Sequence, residues 1–195
     1  MSSSGLLELL FPCLDHFVKG GHGEDVFKLL EAADRHNLAS GRKPMDRAIL
    51  TSCLLFPILE REVETLYTKR GVVPNFGDIL MTTSSLIKGI VISSFSHFPK
   101  KLSSDAGYIM SAQYRLTPIG GRKHLRARIS HNKEFELALK FLKLRSEADS
   151  SHAESYEWWQ HQFRAVERHG DKGGHHPHHT PPHRRSRHEP RHGHA

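Results

Sequence analysis

Cysteine is scarce in this sequence. Cys13 and Cys53 are the only two, with no Cys-x-x-Cys spacing, which excludes a disulfide-framed secreted scaffold and a cysteine-rich zinc site. The expectation is two buried thiols in a reducing compartment. Long apolar runs are also missing, so nothing reaches membrane-spanning length, and the start Met-Ser-Ser-Ser-Gly followed by Leu6 to Leu10 has neither the basic opening nor the cleavage site of a signal peptide. A cytoplasmic protein with no membrane partner is expected. Gly20, Gly21 and Gly23 surround His22, yet no Gly-Lys-Ser/Thr follows and no strand precedes. They read as a helix linker and not as a phosphate cradle. A last absence is positional: between Ala106 and Lys133 there is no acidic residue.

What fills that interval is basic. Arg115, Arg122, Lys123, Arg126, Arg128 and Lys133 lie in it, with Lys100 and Lys101 just upstream, and such a segment suits an anionic partner. If Pro99 to Leu116 is helical, Lys101, Tyr108 and Arg115 recur at seven-residue spacing and share one face, drifting only slightly. Two cations with a tyrosine between them offer phosphate contacts and a ring for an unpaired base, the usual way of holding single-stranded nucleic acid. A merely solvated helix face is the alternative. The formal charge is +7, of which His169 to Ala195 carries five Lys and Arg against two acids, so both the folded part and the tail are basic.

In chain order the periodicity predicts an all-α body of about seven or eight helices. Leu6, Leu9, Leu10, Leu14 and Phe17 make a first stripe interrupted by Pro12, and Val26, Phe27, Leu29, Leu30 and Ala33 a second from Glu24 to Asn37. Pro44 is placed as the first-turn proline of a third helix running toward Gly71 and bent at Pro57. Its Glu60, Glu62 and Glu64, with Arg61 beside them, read as a solvated surface. Phe76 to Ile90 fits a helix better than the strand its β-branched residues suggest. Thr117 to Gly121 is expected to be a turn.

Two further helices complete the body. Phe135, Ala138, Leu139 and Leu142 form one stripe and Leu137, Phe141 and Leu144 another, leaving only a narrow polar seam, so this helix must be largely buried. Ser151 with Glu154 predicts a capping box for the last helix, on which Tyr156, Trp159, Phe163 and Val166 recur. Trp158 and Trp159 read as core anchors. From His169 the composition turns to His, Pro, Gly and Arg, and a disordered tail is expected. Its His175, His176, His178, His179, His183, His188, His192 and His194 offer imidazoles to zinc, nickel or copper without a defined site. Arg184, Arg185, Arg187 and Arg191 alternatively make it a polyanion-binding arm.

These residues carry a resemblance. Phe98-Pro99-Lys100-Lys101-Leu102, Tyr114-Arg115-Leu116, Gly121-Arg122-Lys123, His131 with Phe135 and Ala138, Leu142 to Arg145, Trp158-Trp159 and a basic tail resemble the C-terminal body of bacterial poly(A) polymerases, relatives of the tRNA CCA-adding nucleotidyltransferases. Leu9 to Pro12, Pro44 to Arg47 and Phe56 to Glu60 are similar to upstream landmarks of the same body. The resemblance implies an all-helical body and tail that bind RNA. It places the chemistry in a head whose Asp-x-Asp pair holds two magnesium ions, which position the RNA 3′ hydroxyl and the ATP phosphates. No Asp-x-Asp occurs here.

The chain is therefore expected to have no catalytic residues, no cofactor and no metal site of its own, to lack adenylate transfer, and to be a C-terminal portion, a split-gene product or a stand-alone RNA binder, with a separate head as a partner. Residues 1–97 are expected to be helical body, 98–168 the basic RNA-binding region and 169–195 the tail. The RNA contacts are assigned to Lys100, Lys101, Arg115, Arg122, Lys123, Arg126 and Arg128, with Tyr108 for stacking. A metal-binding protein acting through the tail and a helical scaffold without ligand are the competing readings.

Overall fold

Pro12 interrupts the N-terminal stripe only briefly. In the computed structural model, which describes residues 6–41, 43–92, 98–117 and 133–170, α1 (Leu6–Leu10) passes through Phe11 into α2 (Pro12–Phe17), with proline in the first turn where its missing N–H costs nothing. The glycines then break the helix as expected, at Gly21. Gly21, at φ 86° and ψ 7°, leaves the helical region and kinks the chain within Val18–His22, and α3 (Gly23–Ala39) starts beyond the kink.

The third helix, α4 (Arg47–Arg70), starts later than Pro44 suggested. Asp46 is its N-cap, its carboxylate accepting from the Ala48 N–H at 2.9 Å, because a short acceptor side chain satisfies a free helix-start donor that proline only avoids. The helix runs through Pro57 and ends at Gly71, whose φ of 65° lets its N–H cap the Tyr67 carbonyl at 2.8 Å. α5 (Phe76–Ile87) is a helix as the longer period predicted, opened by a reciprocal capping box between Asn75 and Asp78 and continued by a π turn over Lys88–Ile92. α6 (Lys100–Leu116), α7 (Lys133–Ala148) and α8 (Ala153–Gly170) complete the order. No strand occurs among the described residues.

α4 packs against α3, α5, α6 and α7, and its Ile49, Leu55, Phe56 and Leu59 are buried with Ile109 and Met110 of α6 and Phe141 and Leu144 of α7. The two stripes of α7 go to different places. Leu137, Phe141 and Leu144 enter this main core, whereas Phe135, Ala138, Leu139 and Leu142 join Leu116 and Trp159 in a second cluster between α6, α7 and α8. One helix thus holds two cores together. Trp159 is fully buried, donates from Nε1 to the Leu116 carbonyl at 2.9 Å and meets Phe135 edge-on at 6.1 Å, while Trp158 stays 40% exposed. Phe56 meets Phe141 edge-on in the main core at 5.4 Å.

Three expectations are corrected. Cys53 is buried, and burial pushes its thiol up to about 12, but Cys13 is exposed, because the short α2 turns that side chain away from the core reached by Leu14. The cap before α8 is not Ser151. Asp149 accepts from both the N–H and the hydroxyl of Ser151, at 2.9 and 2.8 Å, and starts a 3-10 turn over Ser150–His152. Asp149 wins because a carboxylate is the stronger acceptor at a helix start. Finally, Glu60 does not simply face water.

Arg145, only 6% exposed, donates to Glu60 at 2.9 Å, to Thr117 Oγ1 at 3.1 Å and to Gln113 Oε1 at 3.4 Å, lies 3.0 Å from His152 Nε2 and covers the Phe56 ring at 4.4 Å. Gln113 in turn donates to the Ile109 and Ala138 carbonyls. A buried guanidinium with five donors needs such a shell, since an unpaired buried charge is costly. The predicted turn at Thr117 is met only at its first residue, and 118–132 lie outside the described residues.

Candidate nucleic-acid interface

α5 and α6 run antiparallel. The end of α5 lies against the middle of α6, where a Cβ on Gly107 would come within 3.2 Å of Ile87 Cδ1, and the start of α5 lies under the end of α6, where Arg115 covers the Phe76 ring at 3.8 Å. Between them is an open groove of about 410 Å³. Leu80, Ile87 and Gly107 give it an apolar floor, Thr83, Ser84, Ser103, Ser104 and Ser111 line it with hydroxyls, and Lys88 and Tyr108 stand at its edge. No carboxylate lines it. The contrast with two other cavities is sharp: one of about 420 Å³ carries Asp25, Glu60 and Asp149, and one of about 360 Å³ carries Asp25, Glu60 and Glu64.

The seven-residue row predicted on α6 is present, and its members differ. Tyr108 is 36% exposed and faces the groove. Burial pushes its phenol up, with Glu134 of α7 adding to this and Arg115 opposing it, so the ring stays neutral and available for stacking. Arg115 is exposed and holds its guanidinium carbon over the Phe76 ring, 3.8 Å from the centroid, a contact that favours this position without neutralising its charge. Lys101 spends part of its charge on Asp105 at 3.2 Å. Lys100, one turn before Ser104, is exposed and forms no ion pair with the described residues. Arg122, Lys123, Arg126 and Arg128 lie outside the described residues.

Sequence reasoning missed Lys88 and Ser84. Leu80, Ser84 and Lys88 recur every fourth residue and line the α5 wall of the groove, and Phe76, four residues before Leu80, carries Arg115. That spacing was the available signal, hidden among the apolar residues used to assign the helix. The two acids on α5 and α6 are both engaged, Asp78 with Arg70 at 3.0 Å and Asp105 with Lys101. Lys88, Lys100 and Arg115 therefore have no carboxylate partner among the described residues. Such a surface can hold phosphates at three cations and a planar group against Tyr108 and Leu80.

The described residues contain no group of three or more His, Cys, Asp or Glu side chains placed to hold a metal ion, and no helix among them is long and apolar enough to cross a membrane. The tail histidines lie outside the described residues. No curated protein and no solved structure matches the chain. Residues 92–192 match the family model described as the polymerase A arginine-rich C-terminus. That match takes in α6, α7, α8 and the basic tail, more than half of the chain. The chain belongs to the family of the poly(A) polymerase arginine-rich C-terminus.

Proposed function

We propose that the chain is an RNA-binding element of the poly(A) polymerase type, holding single-stranded RNA across the α5–α6 groove, the segment 118–132 and the basic tail. The observation that carries this reading is the groove itself: a carboxylate-free cleft lined by Lys88 and Tyr108, with Lys100 one turn before its Ser104 and Arg115 on the Phe76 ring farther along the same helix pair. Cations position the phosphates, and the ring accepts any base because every base has a π face. Arg122, Lys123, Arg126 and Arg128 extend the same charge along the chain from Thr117. Membership of the family supports RNA as the polyanion.

The chain is further proposed to rely on a separate nucleotidyltransferase head for adenylate transfer, since it has no Asp-x-Asp pair. The test is anisotropy of a labelled single-stranded RNA with the full chain as salt is raised. Each phosphate contact should add a slope of about 0.7 log units per log unit of salt. The double variant Lys100→Glu, Arg115→Glu should weaken binding and flatten that slope. An unchanged affinity and slope would remove the groove from the interface. Elongation of an RNA primer by the purified chain with magnesium and ATP would overturn the dependence on a head.

A further inference from the structure

Hydroxyls inside helices normally turn back on their own backbone, and in this molecule most do. Thr82 and Thr83 donate to the Asp78 and Ile79 carbonyls, Ser111 to Tyr108, and Thr51, Ser52, Thr65 and Thr68 behave alike on α4. Ser84 on α5 and Ser103 and Ser104 on α6 are different: like Ser85 and Ser155, their hydroxyls make no hydrogen bond among the described residues, and unlike those two they meet in one groove. All three line the α5–α6 groove, and Ser84 and Ser104 are exposed there, one on each wall. Lys88 is one turn beyond Ser84, and Tyr108 one turn beyond Ser104.

We propose that this groove is a ribonucleotide subsite that distinguishes RNA from DNA, with Ser84 and Ser104 hydrogen-bonding the ribose 2′-hydroxyl, Tyr108 under the base and Lys88 on the phosphate. The proposal rests on the reading of this surface as an RNA interface and adds what that surface selects. A 2′-hydroxyl both donates and accepts, as does serine, so two serines facing one groove match it and find nothing on deoxyribose. The cavity volume lies in the range that takes a small ligand. Phosphate contacts alone would hold both nucleic acids alike.

The experiment compares labelled RNA and DNA of one sequence, at fixed salt, on the full chain and on two variants. Wild type should prefer RNA by about fivefold to tenfold, the yield of one or two net neutral hydrogen bonds. Ser84→Ala with Ser104→Ala should bring that preference to about twofold or less while leaving DNA affinity as it was. Lys88→Ala should weaken both nucleic acids by a similar factor. Alanine at exposed helical positions does not endanger the fold, and an unchanged circular dichroism spectrum confirms it. Equal binding of RNA and DNA by wild type, or a preference that survives the double serine variant, overturns the ribose subsite and leaves the RNA interface standing. Absence of RNA binding overturns both.

Discussion

Arg145 and Glu60, 85 residues apart in sequence, meet at 2.9 Å, and the arginine end of the pair is almost completely buried while the glutamate side chain keeps 45% of its surface exposed. The asymmetry sets which partner is dangerous to remove. Burial pushes the Glu60 carboxyl up against the opposing pull of Arg145, and it pulls Arg145 down against the support of Glu60. Without Glu60 the guanidinium stays enclosed, keeping Gln113, Thr117 and His152 as hydrogen-bonding neighbours and only the weaker, longer-range support of the Asp149 carboxylate.

Glu60→Leu should therefore destabilise the chain by about 2 to 3 kcal/mol, just under the cost of breaking a fully buried pair because water reaches one side. Urea unfolding measures it. A loss below about 0.5 kcal/mol, as for an ordinary exposed pair, would mean that the remaining acceptors satisfy Arg145 unaided.

His152 should make stability fall on acidification. Its Nε2 faces an Arg145 donor at 3.0 Å and must accept, so the ring has to be neutral. Burial, followed by Arg145, lowers its affinity for a proton below the ordinary 6.5, with Asp149 opposing. A depressed folded value means the unfolded chain binds the proton first, so this contribution is complete above about 6.5 and is lost as pH falls through the folded value. The melting temperature of wild type minus that of His152→Gln should drop between pH 7 and pH 5. Taking the difference removes Glu60, whose raised value acts in the opposite direction. A flat difference would refute the assignment.

The thiols should react one at a time. Cys13 is exposed, whereas Cys53 is buried with its thiol pushed up to about 12, so a thiol reagent should modify one cysteine in the native chain and the second only after denaturant is added. Fast labelling of both without denaturant would contradict the burial of Cys53.

Trp159→Phe should cost about 2 to 3 kcal/mol, combining the lost hydrogen bond to Leu116 and the volume missing beside Phe135. The remaining Trp158, which stacks edge-on to Trp159 at 4.7 Å and is 40% exposed, should then account for nearly all the fluorescence and be readily quenched by iodide. Poor quenching in that variant would place Trp158 in the interior.

Much of this architecture was legible because helical periodicity reports burial locally. The two stripes on α7 predicted a helix buried on two sides, and they divide between the two cores as written in the sequence. Glu136 and Lys140, four residues apart, form their ion pair at 2.8 Å for the same local reason. Cap positions were read less well. Pro44 and Ser151 lay within two residues of the observed caps, but it is the Asp46 and Asp149 carboxylates that accept the backbone N–H groups there.

The sequence by itself determined the helices, the apolar faces that pack them and the excess of positive charge, since each depends on residues a few positions apart. The tertiary structure decided which charges remain free and where they gather. Arg145 looked like any surface arginine until α4, α6 and α7 closed around it, and Lys101 looked as available as Lys100 until Asp105 took part of its charge. Lys88 and Ser84 became part of a groove only when α5 came to lie antiparallel to α6. Charge neutralisation and groove formation are contacts between distant segments, fixed by packing and not by spacing along the chain.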